Sequence, residues 1–187
     1  MILASDASVS EPPVRTDPRI RRTRLHVLEI AREMLNEHSE ALTFTAVAER
    51  AFVARQTLYK HWGSIENLIA ETIVVARVGK DTDYEGLDAK QRTTMFLERM
   101  TQQIDAGMAS AIAAIIAAAS YEPDSRRALG KLDASLFEMF SSSVGTVTHD
   151  QFIELVAPVM YLIISGGPVS PGLISSLAER SSQLLPS

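Results

Sequence analysis

Apolar residues recur at helical spacing along most of the chain. Asp17-Pro18 reads as an N-cap followed by the first helical residue, and Ile20, Leu28, Ala31 and Leu35 continue that helix to about His38. Thr43 is placed to cap a short helix through Ala51, and a second short helix runs from near Ala54 to Trp62-Gly63. Ser64 then opens a longer one, "IENLIAETIVVARVG", and the polar stretch "KDTDYEGLD" breaks the pattern. Three further helices are predicted over about 89–106, 108–121 and 124–143, the last announced by Pro123-Asp124. After "SSSVGTV", Thr148 with Gln151 forms a capping-box pattern that opens a helix to Ser165. "GGP" stops it, and Ser170-Pro171 starts a last helix to about Leu185. No alternating strand pattern and no internal repeat interrupts this reading, so the expected fold is all-α with about nine helices. Residues 1–16, rich in Ser, Pro and Ala without periodicity, are expected to be a flexible tail.

Composition narrows the class. Hydrophobic residues make up 46% of the 187, enough to bury a sizeable core. The absence of cysteine excludes a disulfide framework, a thiol nucleophile and a Cys-type zinc site. "MILASDASVSEPP" lacks the basic n-region of a signal peptide. "AGMASAIAAIIAAASY" falls short of the ~20 apolar residues that a membrane span needs. A cytoplasmic protein with no membrane partner is expected. His26, His38, His61 and His149 are scattered without metal-ligand spacing. With no nucleophile–base motif and no Gly-rich phosphate loop, neither an enzyme nor a cofactor is expected.

Charge is unevenly spread. Residues 1–64 carry nine Lys+Arg against eight Asp+Glu, whereas residues 65–187 carry nine against fifteen. Arg15, Arg19, Arg21, Arg22 and Arg24 crowd the start of the first helix, so a basic end sits on an acidic body.

The two short helices carry the chemistry. With Phe44 as the first position, Val47, Ala48, Ala51, Val53 and Leu58 fall at positions 4, 5, 8, 10 and 15, where one helix of a helix-turn-helix rests on the other. Trp62 follows Leu58 by four residues and shares its buried face. Arg55, Gln56, Tyr59 and Lys60 are left on the opposite face. Arg suits guanine and Gln suits adenine as bidentate partners, while Thr, Tyr and Lys side chains hold phosphates. Thr43, Thr45, Arg55, Gln56, Thr57, Tyr59, Lys60 and His61 are the candidate DNA-binding residues.

"LTFTAVAERAFVARQTLYKHWGSIENLI" resembles the DNA-binding region of the TetR (tetracycline repressor) family of bacterial regulators. The shared pattern is a Thr-capped helix with V-A, then V-x-x-x-T-L-Y-x-x-aromatic, then S-x-E-x-L-I, within about residues 20–75. The "APVMYLIISGG" segment is similar to the penultimate, dimer-forming helix of many relatives. The resemblance implies an N-terminal DNA-reading domain over 17–63 and a ligand-sensing, dimer-forming helical body over 64–187. A double-stranded DNA operator, a second copy of the chain and a small apolar effector are then the expected partners. Three positions depart from the family pattern: Ala54 for a hydroxyl residue, Ile65 for a Lys, and Phe52 for the Gly of the turn. Arg19, Arg21, Arg22 and Arg24 are candidates to supply the phosphate affinity lost at Ala54 and Ile65.

Within the body, Met95, Met100, Met108, Tyr121, Phe137 and Phe140 are the candidate effector contacts, because methionine and aromatic side chains suit an adaptable apolar pocket. The helix over 149–165 is apolar nearly all round and needs cover on several sides. Phe152, Val156, Val159 and Ile163, with Ile174 and Leu177 of the last helix, are therefore the expected dimer interface. Phe52 is expected to bury its ring against the first helix near Leu28 and Leu35. The expected function is that of a ligand-responsive regulator, a repressor bound as a dimer to a palindromic operator. The alternative is a helical interaction protein with a vestigial head.

Overall fold

A computed structural model describes residues 18–37, 42–77 and 84–185. The tail over 1–16, the Asp17 cap, the end of the first helix at His38, and residues 78–83, with the first four of the polar break, lie outside the described residues. Among those described there are nine helices and no strand. They are α1 (Pro18–Glu37), α2 (Phe44–Ala51), α3 (Arg55–Trp62), α4 (Ile65–Arg77), α5 (Ala89–Gln103), α6 (Ala106–Ala118), α7 (Pro123–Val144), α8 (His149–Ser165) and α9 (Pro171–Leu184).

Local caps set most of these boundaries. The Thr43 hydroxyl accepts the Ala46 N–H at 3.2 Å and starts α2. Ser64 does the same for α4 through Asn67. Thr148 and Gln151 close a reciprocal capping box at α8, and Ser170 followed by Pro171 starts α9. The boundaries around α6 differ from the sequence expectation, since it runs over Ala106–Ala118 rather than about 108–121. α5 stops at Gln103 because Ile104 and Asp105 are extended, and the Asp105 carboxylate caps α6 by accepting the Met108 N–H at 2.9 Å.

Two buried clusters organise the packing. The first joins Val27, Leu28 and Ala31 of α1 to Phe44, Val47, Ala48 and Ala51 of α2, Leu58 and Trp62 of α3, and Leu68 of α4. The second is the core of α4 to α9, built around Ile73, Leu97, Met100, Phe140, Leu155 and Val159. α4 thus faces both clusters, with Leu68 in the first and Ala70 and Ile73 in the second. Leu35, one turn beyond Ala31 on α1, packs on the second cluster as well. No single helix among the described residues is long and apolar enough to cross a membrane.

Candidate nucleic-acid interface

α2 and α3 meet at a Schellman-type turn. Phe52 takes a left-handed backbone (φ 54°, ψ 43°). Its N–H reaches the Glu49 carbonyl at 3.4 Å, and the Val53 N–H reaches the Ala48 carbonyl at 3.0 Å. Two otherwise orphaned carbonyls at the end of α2 are satisfied, and the chain is redirected into α3. The expected burial of the Phe52 ring is overturned: the residue is 94% exposed. The left-handed position directs its side chain outward. Half-buried Val53, two residues past the end of α2, packs instead on the first cluster, to which Ala48 belongs.

α3 lays Leu58 and Trp62 against the first cluster and leaves Arg55, Gln56, Tyr59 and Lys60 exposed. The Arg55 guanidinium donates to the Thr45 hydroxyl at 3.2 Å, which ties the start of α3 to α2. The Tyr59 ring meets Phe44 edge-on, with centroids 4.7 Å apart, yet the residue remains more than half exposed. Gln56 and Lys60 have no side-chain partner among the described residues. The structure therefore brings Thr45, Arg55, Gln56, Tyr59 and Lys60 to one open face. Thr43 is exposed but uses its hydroxyl as the α2 cap. Thr57 is half-buried. His61 turns away, into a cleft with Arg24, Trp62 and Glu71.

That cleft holds a brace that sequence reading misses. The Glu71 carboxylate of α4 accepts two hydrogen bonds from the Arg24 guanidinium of α1, at 2.6 and 2.5 Å. It also accepts the Trp62 indole N–H at 3.0 Å. Arg24 lies over the Trp62 ring, 5.9 Å from its centroid. Its hydrogen bonds to Glu71 hold the guanidinium above its ordinary pKa. One carboxylate thereby joins the helix that carries the polar face to both of its supports. Arg24, expected among the phosphate-binding arginines, is committed to this internal pair. The three partners lie nine and 47 residues apart, so no local pattern announces them. Ile65 packs on the first cluster, as an apolar residue at the start of α4 should.

The body departs further from expectation. Met100, Met108 and Phe140 are buried in the second cluster, Met95 and Phe137 are half-buried, and Tyr121 is 71% exposed. Phe140 fills its site against Phe96 and Phe152, with centroids 5.0 and 5.7 Å away. A groove between α1, α4, α6 and α7 has none of the six in its walls. The interface residues need correcting too. Phe152, Val156, Val159 and Ile174 are buried within the chain's own core, so they present nothing to a second copy. Ile163 and Leu177 are half-buried against that core. The outward side of α8 carries Ile153, Ala157 and Tyr161, spaced four residues apart on one stripe.

A small helix-turn-helix head with an open polar face, set on a larger helical body, defines a DNA-binding protein of the helix-turn-helix class. Residues 27–72 match the family model described as bacterial regulatory proteins, tetR family. The match covers the helix-turn-helix head with its support helix α4, and marks that part as a DNA-binding domain of the TetR type. No curated protein matches it. Among solved structures, a TetR transcriptional regulator from Rhodococcus sp. RHA1 is 22% identical, with a TM-score of 0.64 over 89% of this chain and 97% of that one. That likeness speaks to the fold. A structure from Mesorhizobium loti MAFF303099 assigned to the same family is 18% identical, with a TM-score of 0.48 over 89% of this chain and 96% of that one.

Proposed function

We propose that the chain is a dimeric, ligand-responsive repressor, acting in the cytoplasm on a palindromic operator. The carrying observation is the exposed face of α3, where Arg55, Gln56, Tyr59 and Lys60 stand clear of a helix braced from behind by Glu71. Arg55 and Gln56 read base edges, whereas Thr45, Tyr59 and Lys60 hold the backbone. Residues 17–63 form the reading head and 64–187 the regulatory body.

Dimerisation through the outward stripe of α8 follows from its exposed apolar side chains, Ile153 and Tyr161. Two-fold symmetry then places the half-sites about one helical turn apart. An effector acts only through unequal affinity for the DNA-binding and non-binding arrangements of the two heads.

The test is selection of bound fragments from genomic DNA, followed by titration of variants at controlled salt. Arg55→Ala and Gln56→Ala are expected to relax base preference, each at ~1–3 kcal/mol per lost bidentate contact. Lys60→Ala is expected to weaken all sequences alike and to lower the salt dependence by about one ion. Unchanged preference and affinity in all three variants would remove the assignment of α3.

A further inference from the structure

The end of α1 in the head packs closely against α6 of the body. Gly107, in the first turn of α6, lies so near α1 that a Cβ there would sit 2.0 Å from the Leu35 carbonyl oxygen and 2.6 Å from its carbon. Any side chain at this position forces the two helices apart. Beside it, the Asn36 amide donates to the Asp105 carboxylate that caps α6. A rigid joint thus links α1, whose other turns belong to the head cluster, to a helix of the body.

Next to this joint runs an open groove of about 490 Å³, within the range typical of small-molecule sites. Met34 and Leu35 of α1, Ile65 and Ile69 of α4, and Ala111 and Ala114 of α6 give it apolar walls. Its only charged wall residues among those described are Glu66 and Glu122. Glu66 is half-buried and has no side-chain partner among the described residues. Glu122 accepts the Ser125 hydroxyl at 3.1 Å. A neutral apolar guest would further desolvate Glu66 without offering it a counter-charge, and an anion would be repelled. A guest with an apolar body and a positive nitrogen satisfies both parts of the wall.

We propose that this groove binds a lipophilic organic cation, an alkyl- or arylammonium, and that its occupation shifts the α1–α6 joint and so alters DNA affinity. The second half rests on the ligand-responsive reading above; the binding half does not. In the complex the apolar part lies on α1, α4 and α6, with the nitrogen toward Glu66 and Glu122. Because α1 and α4 carry the head cluster, a guest wedged against α6 acts on the reading head without touching α3.

Calorimetric titration of the full chain, without DNA, tests the binding half. The probes are a naphthylethyl-trimethylammonium salt and its uncharged analogue, in which carbon replaces the nitrogen. The cation is expected to bind and the analogue to bind about five-fold more weakly or worse, the scale of one partly exposed ion pair. Glu66→Gln should weaken the cation by a similar factor and leave the analogue unchanged. Ala114→Trp, at an exposed position, should fill the groove and remove both. No binding of the cation, equal binding of the two probes, or full binding to both variants overturns the proposal. So does a change of sedimentation in Ala114→Trp, which would make the groove a contact between copies. With DNA, saturating cation is expected to change operator affinity, and operator to change cation affinity, by the same factor. If the cation binds but DNA affinity does not move, the regulatory half alone falls. Loss of DNA binding in the unliganded wild type would instead remove the regulator reading.

Discussion

Phe52 holds a left-handed backbone that costs an L-residue about 1–2 kcal/mol relative to glycine, and its ring recovers none of this within the chain. The strain itself is legible in the sequence, because the register of Val47, Ala48, Ala51 and Val53 fixes where the turn must fall. The direction of the ring is not, since it depends on the Schellman geometry and on Val53 taking the covering role. Phe52→Gly is therefore expected to raise stability by about 1 kcal/mol. Phe52→Ala keeps the backbone strain and removes only an exposed ring, so it should stay within about 0.5 kcal/mol of wild type. Paired denaturation curves decide this, and a clearly destabilised glycine variant would show that the ring has a partner in the free protein. The recognition residues are legible for a different reason. Leu58 and Trp62 fix the buried side of α3, and Arg55, Gln56 and Lys60 can only be opposite.

At the scale of elements, α3 is too short to hold itself, and its orientation is borrowed from α1 and α4 through Glu71. In Glu71→Ala the buried Trp62 indole N–H loses its acceptor, at a cost of about 1–2 kcal/mol, and Arg24 is released. Thermal unfolding should show the loss, and operator affinity should fall although no DNA contact is removed. Retention of both would mean that the cluster around Leu58 orients α3 unaided. α1 and α2 are also joined by an exposed pair, in which hydrogen bonds from Arg50 hold the Glu37 carboxyl below its ordinary pKa. A depressed carboxylate pKa favours the folded state above the unfolded value, and that contribution fades as pH falls through the folded one. Following the Glu37 carboxyl by NMR should give a midpoint that rises toward the ordinary value in Arg50→Met. Most element ends are legible because Thr43, Thr148 with Gln151, and Ser170 are local signals. The break before α6 is not, because "QQIDA" contains no Gly or Pro to mark it.

For the whole molecule, sequence apolarity says that a residue is covered without saying by what. The α8 pattern thus predicts burial for Phe152, Val156 and Val159, but α8 is covered by α5, α6, α7 and α9 of the same chain rather than by a second copy. An exposed apolar residue is the better guide to a partner: Ile153 is 45% and Tyr161 71% exposed. Ile153→Asp with Tyr161→Asp is expected to shift the protein from dimer to monomer in sedimentation while leaving its helical content intact. An unaltered dimer would move the interface elsewhere. The placement of α4 has a consequence for anyone who would treat the head as a portable module. Leu68 closes the head's core and Glu71 pins its reading helix, so a graft cut after Gly63 would leave behind both the floor and the anchor of the piece it moves. A working transplant has to take α4 along, and the donor's α4 then imposes its own Ala70 and Ile73 on the host core, so the two halves must be matched along that helix before they can be exchanged.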